Sequence, residues 1–525
     1  MPESTMPEKI RRLVDLRRLY YFSAALISIR LAVRCIQGGG KIIWPDLSHE
    51  YLWTGLSITI LCHLVLLGLA WMCTRVFSKL SVAILYPGLL LGFYFLFLVN
   101  KLTLRIPEAL FSWLLLIGLA VFFLVMRFRS KPRVLPHFIQ PRRQDIIPSL
   151  LIMLWFIHAG LFFLEMNLQP DRKPYVDETT FWYAAAERMI MTDSLQAHIA
   201  DYPARNLHPY GIPFIAALPA KIAGFRHPSS AFFMPWSVIL TLTIFLFSIR
   251  ANRWGFLFLL TALFVTFNDR GWLSELLYVR IYGEGLSTVF FLGTCFELRR
   301  LSDIDRVRPI EFYTLCFIIG LFALTKFPLA AVWPVFLVPL FIIFVKNRIW
   351  LYRVTAILGG LCVALVPLVT WRIFVHQNRI LHQLGGFECS WHIILSRLLS
   401  PNLNMLSRVY HLALSDTPQL VYFGIISLVF IAAANTKKIY AALLPVVLHI
   451  GMIGIYYGYL YNYGKAGGDH ASSVRYLMPM VLALFFLGAE GFTRIMRGIE
   501  KNPWPLTVKL CAGLIMVGMF LPKLF

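Results

Sequence analysis

The sequence predicts an all-α, polytopic transmembrane helical bundle of about fifteen helices, with a long outer loop that carries interfacial helices. Three observations predict it. Of 525 residues, 58% are hydrophobic and only 14% charged, against about 45–50% and about 25% in soluble domains, which excludes a soluble globular enzyme. The apolar residues come in runs of roughly the twenty needed to cross about 30 Å of hydrocarbon. The 49 basic and 26 acidic residues leave a net charge of +23, and the bases fall in short clusters between the apolar runs. Such clusters are topology signals, so no nucleic-acid partner is implied.

Taken in order, the spans are 19–36, 53–73, 80–100, 106–126, 147–166, 231–249, 254–268, 284–298, 310–326, 329–345, 353–374, 418–434, 439–461, 475–493 and 505–521. Arg30 and Arg34 interrupt the first. A charge in mid-bilayer costs about 2.5–3.5 kcal/mol even on the insertion scale, so this helix is short or lies partly in the interface. With the amino terminus (Lys9, Arg11, Arg12, Arg17, Arg18) inside, alternate loops carry the basic clusters. These are Arg75/Lys79, Arg127 to Arg143, Arg250/Arg253, Arg299 to Arg308, Lys346 to Arg353, Lys437/Lys438 and Arg494 to Lys501. All fall on the cytoplasmic side, as the positive-inside rule requires. The alternation holds only if His208 to Gly224 stays on the outer face. Pro209, Pro213 and Pro219 suit an interfacial or re-entrant helix there better than a full span.

Seven of the eight cysteines (Cys35, Cys62, Cys73, Cys295, Cys316, Cys362, Cys511) lie in or beside apolar runs, leaving Cys389 alone in a sizeable loop. A lone loop cysteine builds no disulfide framework, and no Asn-x-Ser/Thr sequon occurs. Both absences point to a bacterial inner membrane. No small-residue cleavage site follows the basic amino terminus.

The outer loops are about 37–52, 167–230, 269–283, 375–417 and 462–474. From Asn167 to Leu207 the longest holds six acids (Asp171, Asp177, Glu178, Glu187, Asp193, Asp201) against four bases (Arg172, Lys173, Arg188, Arg205). A translocated loop that merely avoids basic residues would have the same composition. Within it, Tyr175-Val-Asp-Glu-Thr-Thr-Phe-Trp-Tyr-Ala-Ala-Ala-Glu-Arg188 directly follows an outward-going helix, which sets Asp177 and Glu178 just outside the bilayer.

This segment resembles the acidic loop of the GT-C glycosyltransferases, integral membrane enzymes that move sugars from polyprenyl-phosphate carriers, among them the aminoarabinose transferases of lipid A and the protein O-mannosyltransferases. The resemblance continues in order. His208-Pro-Tyr-Gly-Ile-Pro to Gly224 is similar to the proline-punctuated segment that closes that loop, and Tyr282-Gly-Glu-Gly-Leu-Ser-Thr288 to the second acidic position. Ala323-Leu-Thr-Lys-Phe-Pro328 resembles the family's Thr-Lys-Pro helix end, and Ser472-Ser-Val-Arg-Tyr-Leu-Met-Pro479 its Arg-Tyr-x-x-Pro entry to a late helix. The match covers about residues 147 to 493. The chain then divides into an N-terminal four-helix membrane extension (1–146), a catalytic core with the outer loop 167–230 (147–345), and C-terminal helices completing the core (346–525).

The resemblance implies transfer of a sugar from a polyprenyl-phosphate donor to a glycan, lipid or protein acceptor outside the cytoplasm, in contact with membrane lipids. An acceptor hydroxyl attacking the anomeric carbon needs a base, and Asp177 is the choice; Glu178 orients the acceptor or holds an ion. The leaving lipid phosphate is a weak base, so fixed positive charge stabilises it, from Lys326, Arg475 and His208. Each also has a plain structural use: snorkelling for Lys326, helix-end anchoring for Arg475, loop hydrogen bonding for His208. Glu284, between Gly283 and Gly285, binds the sugar or an ion, or only caps a helix dipole. Metal-dependent members use an extra acid of this kind and others work without metal, so the one cofactor the resemblance admits is a divalent cation. Glu388, Cys389 and His392 lack the full ligand set of a zinc site. Tyr175, Phe181, Trp182, Tyr183, Tyr202 and Tyr210 read as an interfacial belt. No nucleotide-binding glycine motif is present.

Two rivals share the composition. A secondary transporter or lipid-linked sugar flippase would place charges near the midplane on broken helices in paired repeats, and no repeat is visible. An O-antigen polymerase or ligase is also polytopic, but relies mainly on arginine and histidine in its outer loop.

Overall fold

The computed structural model describes residues 16–39, 50–129, 146–168, 182–192, 195, 209–267, 272–278, 283–304, 307–325, 329–346, 349–378, 391–404, 407, 411, 417–434, 437–455, 463 and 470–501. Five helices open the chain: α1 (Leu16–Gly39), α2 (Glu50–Val76), α3 (Val82–Val99), α4 (Glu108–Arg129) and α5 (Ile146–Leu168). Three short ones follow, α6 (Tyr183–Met191), α7 (Gly211–Ala216) and α8 (Leu218–Ala223). Then come α9 (Phe233–Ile249), α10 (Arg253–Thr266), α11 (Trp272–Tyr278), α12 (Gly283–Leu301) and α13 (Pro309–Leu321). The chain continues through α14 (Leu337–Val345), α15 (Trp350–Gln377), α16 (Trp391–Leu399), α17 (Pro418–Ala434), α18 (Lys437–Ile453) and α19 (His470–Lys501). No strand occurs among the described residues.

Six helical stretches are long and apolar enough to cross a membrane: Thr54–Val76, Val82–Leu104, Ile146–Met166, Ser230–Ile249, Trp350–Gln377 and Arg475–Glu500. Several shorter apolar helices pack with them. Helix is the expected outcome, because a single segment in hydrocarbon must satisfy its backbone internally. The expected last span, 505–521, lies outside the described residues.

α19 is the hub. It packs against α10, α12, α17 and α18. Close approach comes from small residues, as lipid supplies no hydrophobic drive between helices. A Cβ on Gly491 of α19 would meet the Phe430 carbonyl oxygen at 2.5 Å, and one on Gly293 of α12 the Ala83 carbonyl oxygen at 2.9 Å. α3, from the amino-terminal stretch, is packed among α9, α12, α13 and α15.

Four of the basic clusters meet at one end of the bundle. There the turn between α2 and α3 is stapled by two buried carboxylates: Ser81 N–H donates to Glu297 Oε1 at 2.9 Å and Lys79 N–H to Glu311 Oε1 at 2.7 Å. Arg300 Nη2 donates to Glu297 at 2.7 Å and Arg308 Nη2 to Glu311 at 2.6 Å. Nearby, Arg299 Nη2 lies 3.4 Å from Glu490 Oε2, and Asn252 donates to the other oxygen of that carboxylate at 3.1 Å. Each acid thus balances a base that the topology signal put there.

Two segments differ in detail from the expected elements. The segment 329–345 is not one α-helix: it starts as a 3₁₀ helix over Leu329–Phe336 and becomes α only at Leu337. Pro334, inside the first part, removes a backbone donor. The segment around 208–224 forms α7 and α8 in succession, and Gly224 ends α8 with φ +71°, the left-handed cap that favours glycine. From Pro209 to Lys221 it is buried against α3, α4, α6 and α9, and so runs inside the protein where irregular backbone is tolerated.

Candidate functional site

At the end opposite the basic staple, two of the sequence-selected residues come together. Glu284 stands in the first turn of α12 and Arg475 near the start of α19. Arg475 Nε lies 3.4 Å from Glu284 Oε1, with the carboxylate side chain fully buried and the guanidinium side chain 19% exposed. That separation exceeds the roughly 2.7–2.9 Å of an aligned charge-assisted hydrogen bond. Arg475 Nη2 also donates to the Tyr476 hydroxyl at 3.2 Å, and its Cζ sits 5.0 Å from the centre of that ring. The arginine is therefore oriented by a carboxylate and an aromatic ring, and its side chain is only partly buried. Gly283 and Gly285 carry no side chain beside the carboxylate, and Thr288 Oγ1 closes onto the Glu284 carbonyl at 2.7 Å. One turn further on, the Ser287 hydroxyl is buried without a hydrogen-bond partner.

A second contact joins two other motifs. A Cβ on Gly211 would strike the carbonyl oxygen of Leu324, so the start of α7 lies directly against the 3₁₀ turn Phe322–Leu324 that ends α13. Only glycine fits this approach. Tyr210 is buried edge-on to Trp371 of α15, with ring centres 5.2 Å apart, and Phe214 packs on Tyr94 and Phe97 of α3. Thr325 closes the turn through its hydroxyl on the Phe322 carbonyl at 2.7 Å.

Beside α7, Lys221 Nζ donates to Glu108 Oε2 at 2.7 Å and to the Thr192 carbonyl at 3.0 Å. The Ser112 hydroxyl lies within hydrogen-bond distance of the Lys221 and Glu108 carbonyls, at 2.6 and 2.8 Å. One buried cluster thus ties α4, α8 and the end of α6. Sequence reasoning missed it, although each partner was visible as a lone charge at the edge of an apolar run, where a partner is obligatory.

Asp177, Glu178, His208 and Lys326 lie outside the described residues, as do Glu388 and Cys389. His392 is exposed on α16. Among the described residues no group of three or more His, Cys, Asp or Glu side chains could hold a metal ion. Of the aromatic residues read as a belt, Trp182 and Tyr210 are instead buried within the protein, because α6 and α7 pack inward on each other. Tyr183 is half-buried.

Fold and site together define a helical membrane protein with two buried ionic clusters at the end away from its basic staple. No protein family, no curated protein and no solved structure matches the chain.

Proposed function

We propose that this protein is a GT-C type glycosyltransferase of the bacterial inner membrane. In this reading about fifteen crossings carry a loop, 167–230, on the periplasmic face, where a sugar passes from polyprenyl phosphate to an envelope glycan, lipid or protein. Asp177 takes the proton of the acceptor hydroxyl as that oxygen bonds to the anomeric carbon, and the bond from that carbon to the phosphate oxygen breaks on the opposite side. One displacement inverts the anomeric centre. The departing phosphate is met by Arg475, with Lys326 and His208 as further cations, and Glu178 orients the acceptor.

The observation that carries this reading is the Glu284–Arg475 pair. The two residues come from motifs far apart in the chain and meet at the end away from the basic staple. A guanidinium held by a carboxylate at 3.4 Å, on a side chain that is 19% exposed, suits an arriving phosphate. The contact of Gly211 with Leu324 adds support, since it joins the two motifs that contain His208 and Lys326.

The test is transfer from purified polyprenyl-phosphate sugars by the membrane-reconstituted protein. Asp177→Asn at normal expression is expected to lower the rate about 10²–10⁴-fold. Undiminished transfer would refute the assignment.

A secondary transporter or flippase is the second reading, and one observation favours it. His449 of α18 is fully buried, neither ring nitrogen has a hydrogen-bond partner, and its ring meets Phe291 of α12 with centres 4.8 Å apart. Ionisable groups at such depth mark ion paths in transporters. Proton uptake coupled to sugar-lipid movement in proteoliposomes, without transfer, would favour that reading.

A further inference from the structure

α16 is nine residues long, and its helical positions divide it into two sides. By position, Trp391, Ile394, Leu395, Leu398 and Leu399 fall on one arc, Ser396 and Arg397 fall across from it with Ile393 between them, and His392 borders the arc beside Leu399. The leucine arc is turned away from the protein. Leu395 is 59%, Leu398 47% and Leu399 77% exposed, and Leu403 just beyond the helix is 70% exposed. On the polar side Ser396 is exposed and Arg397 is held: its guanidinium carbon sits 5.4 Å from the centre of the Tyr463 ring, and the Tyr463 hydroxyl donates to the Ser400 carbonyl at 2.9 Å.

The position of α16 in the chain says what covers the arc. It lies in the connection from Gln377, the end of α15, to Pro418, the start of α17. Both ends are on the side of the bundle that carries Tyr210 and Arg475: Trp371, near the end of α15, packs on Tyr210, and Phe423, near the start of α17, packs on Phe485 of α19. α15 exposes Val366, Val369 and Ile373, and α17 exposes Tyr422, Ile425 and Val429. α15 is long and apolar enough to cross a membrane, α17 is a shorter apolar helix, and α16 lies in the chain between them. α16 has no acidic residue and one base on its polar side, as a helix lying among anionic headgroups requires.

We propose that α16 is an in-plane anchor of the outer leaflet, its leucine arc sunk among acyl chains and Arg397 held at headgroup level by Tyr463. The occupant of the arc is lipid. It follows that the connection between α15 and α17 is tethered to the bilayer surface, whatever reaction the protein performs.

The test uses a genetically encoded spin-labelled residue at position 395, 398, 399 or 403, and separately at 396. The full chain is placed one copy per nanodisc of phosphatidylethanolamine and phosphatidylglycerol. At the leucine positions the label is expected to meet oxygen several-fold more than a water-soluble nickel chelate, with the order reversed at Ser396. Greater access of the chelate at the leucines would place the arc in water and overturn the proposal. Protection from both reagents, or dipolar broadening at 399 in discs holding two copies, would show protein on the arc and overturn it equally. Four independent leucine positions keep the result readable if one labelled variant fails to fold.

Discussion

Lys221 of α8 and Glu108 of α4 form a buried ion pair, Nζ to Oε2 at 2.7 Å, between two segments that the apolar pattern presents as unrelated. The pair joins the amino-terminal helices to the inward-running segment α7–α8, and through the Thr192 carbonyl to the end of α6. A buried pair of this kind matters chiefly by what its loss leaves behind, an uncompensated charge.

Removing one partner should therefore cost more than removing both. Glu108→Ala or Lys221→Met is expected to destabilise by about 3–5 kcal/mol, whereas Glu108→Leu combined with Lys221→Leu should cost clearly less than either single change. Thermal unfolding of the detergent-solubilised protein, read as a double-mutant cycle, measures the difference.

At the opposite end, Glu311 accepts from the Lys79 and Arg308 backbones and from the Arg308 side chain. Glu311→Gln keeps the shape but forfeits the charge, and should destabilise by about 1.5–3 kcal/mol, the range for a hydrogen bond to a charged group. The turn between α2 and α3 should loosen selectively. Hydrogen exchange at Lys79 and Ser81 would report it, and unchanged protection would contradict the staple.

Two glycines should respond oppositely to alanine. At Gly211 the new Cβ runs into the backbone carbonyl of Leu324, which cannot rotate away, so Gly211→Ala is expected to cost about 1–3 kcal/mol through overpacking. At Gly92, inside α3, a Cβ meets nothing within 4 Å. There alanine should stabilise by about 0.5–1 kcal/mol through helix propensity. Melting midpoints of the two variants should move in opposite directions.

If Arg475 meets the departing phosphate, Arg475→Lys loses the planar fork yet keeps the charge, and transfer should fall about 10²–10³-fold in turnover with little change in expression. Glu284→Gln should impair transfer as well, because it releases the guanidinium from its orienting carboxylate. Turnover equal to the unmodified protein in both variants would remove this pair from the chemistry.

Much of the architecture is legible residue by residue. Runs such as Val82–Leu104 and Ile146–Met166 read as helices because hydrocarbon leaves the backbone no other partner. Lys79, Arg299, Arg300 and Arg308 read as one side of a membrane, and they do share one end of the bundle. Of the candidate site, Glu284 and Arg475 stand in two segments singled out by their resemblance to GT-C motifs, but nothing in their local sequence names the other as partner. Pro334 was visible, yet a proline alone does not dictate that Leu329–Phe336 winds as 3₁₀ and not as α.

By itself, then, the sequence determined a helical membrane protein, the grouping of its bases, and which lone charges had to find company. Tertiary structure alone decided the company: Glu108 with Lys221, Glu284 with Arg475, Glu297 and Glu311 with the turn at Lys79 and Ser81. It also decided that α3 packs among α9, α12, α13 and α15. The physical reason is that apolarity and sidedness are properties of one segment against its solvent. The choice of an ionic partner is a property of two segments brought within a few ångströms, and that distance is set by how close small residues such as Gly211, Gly293 and Gly491 let the backbones come.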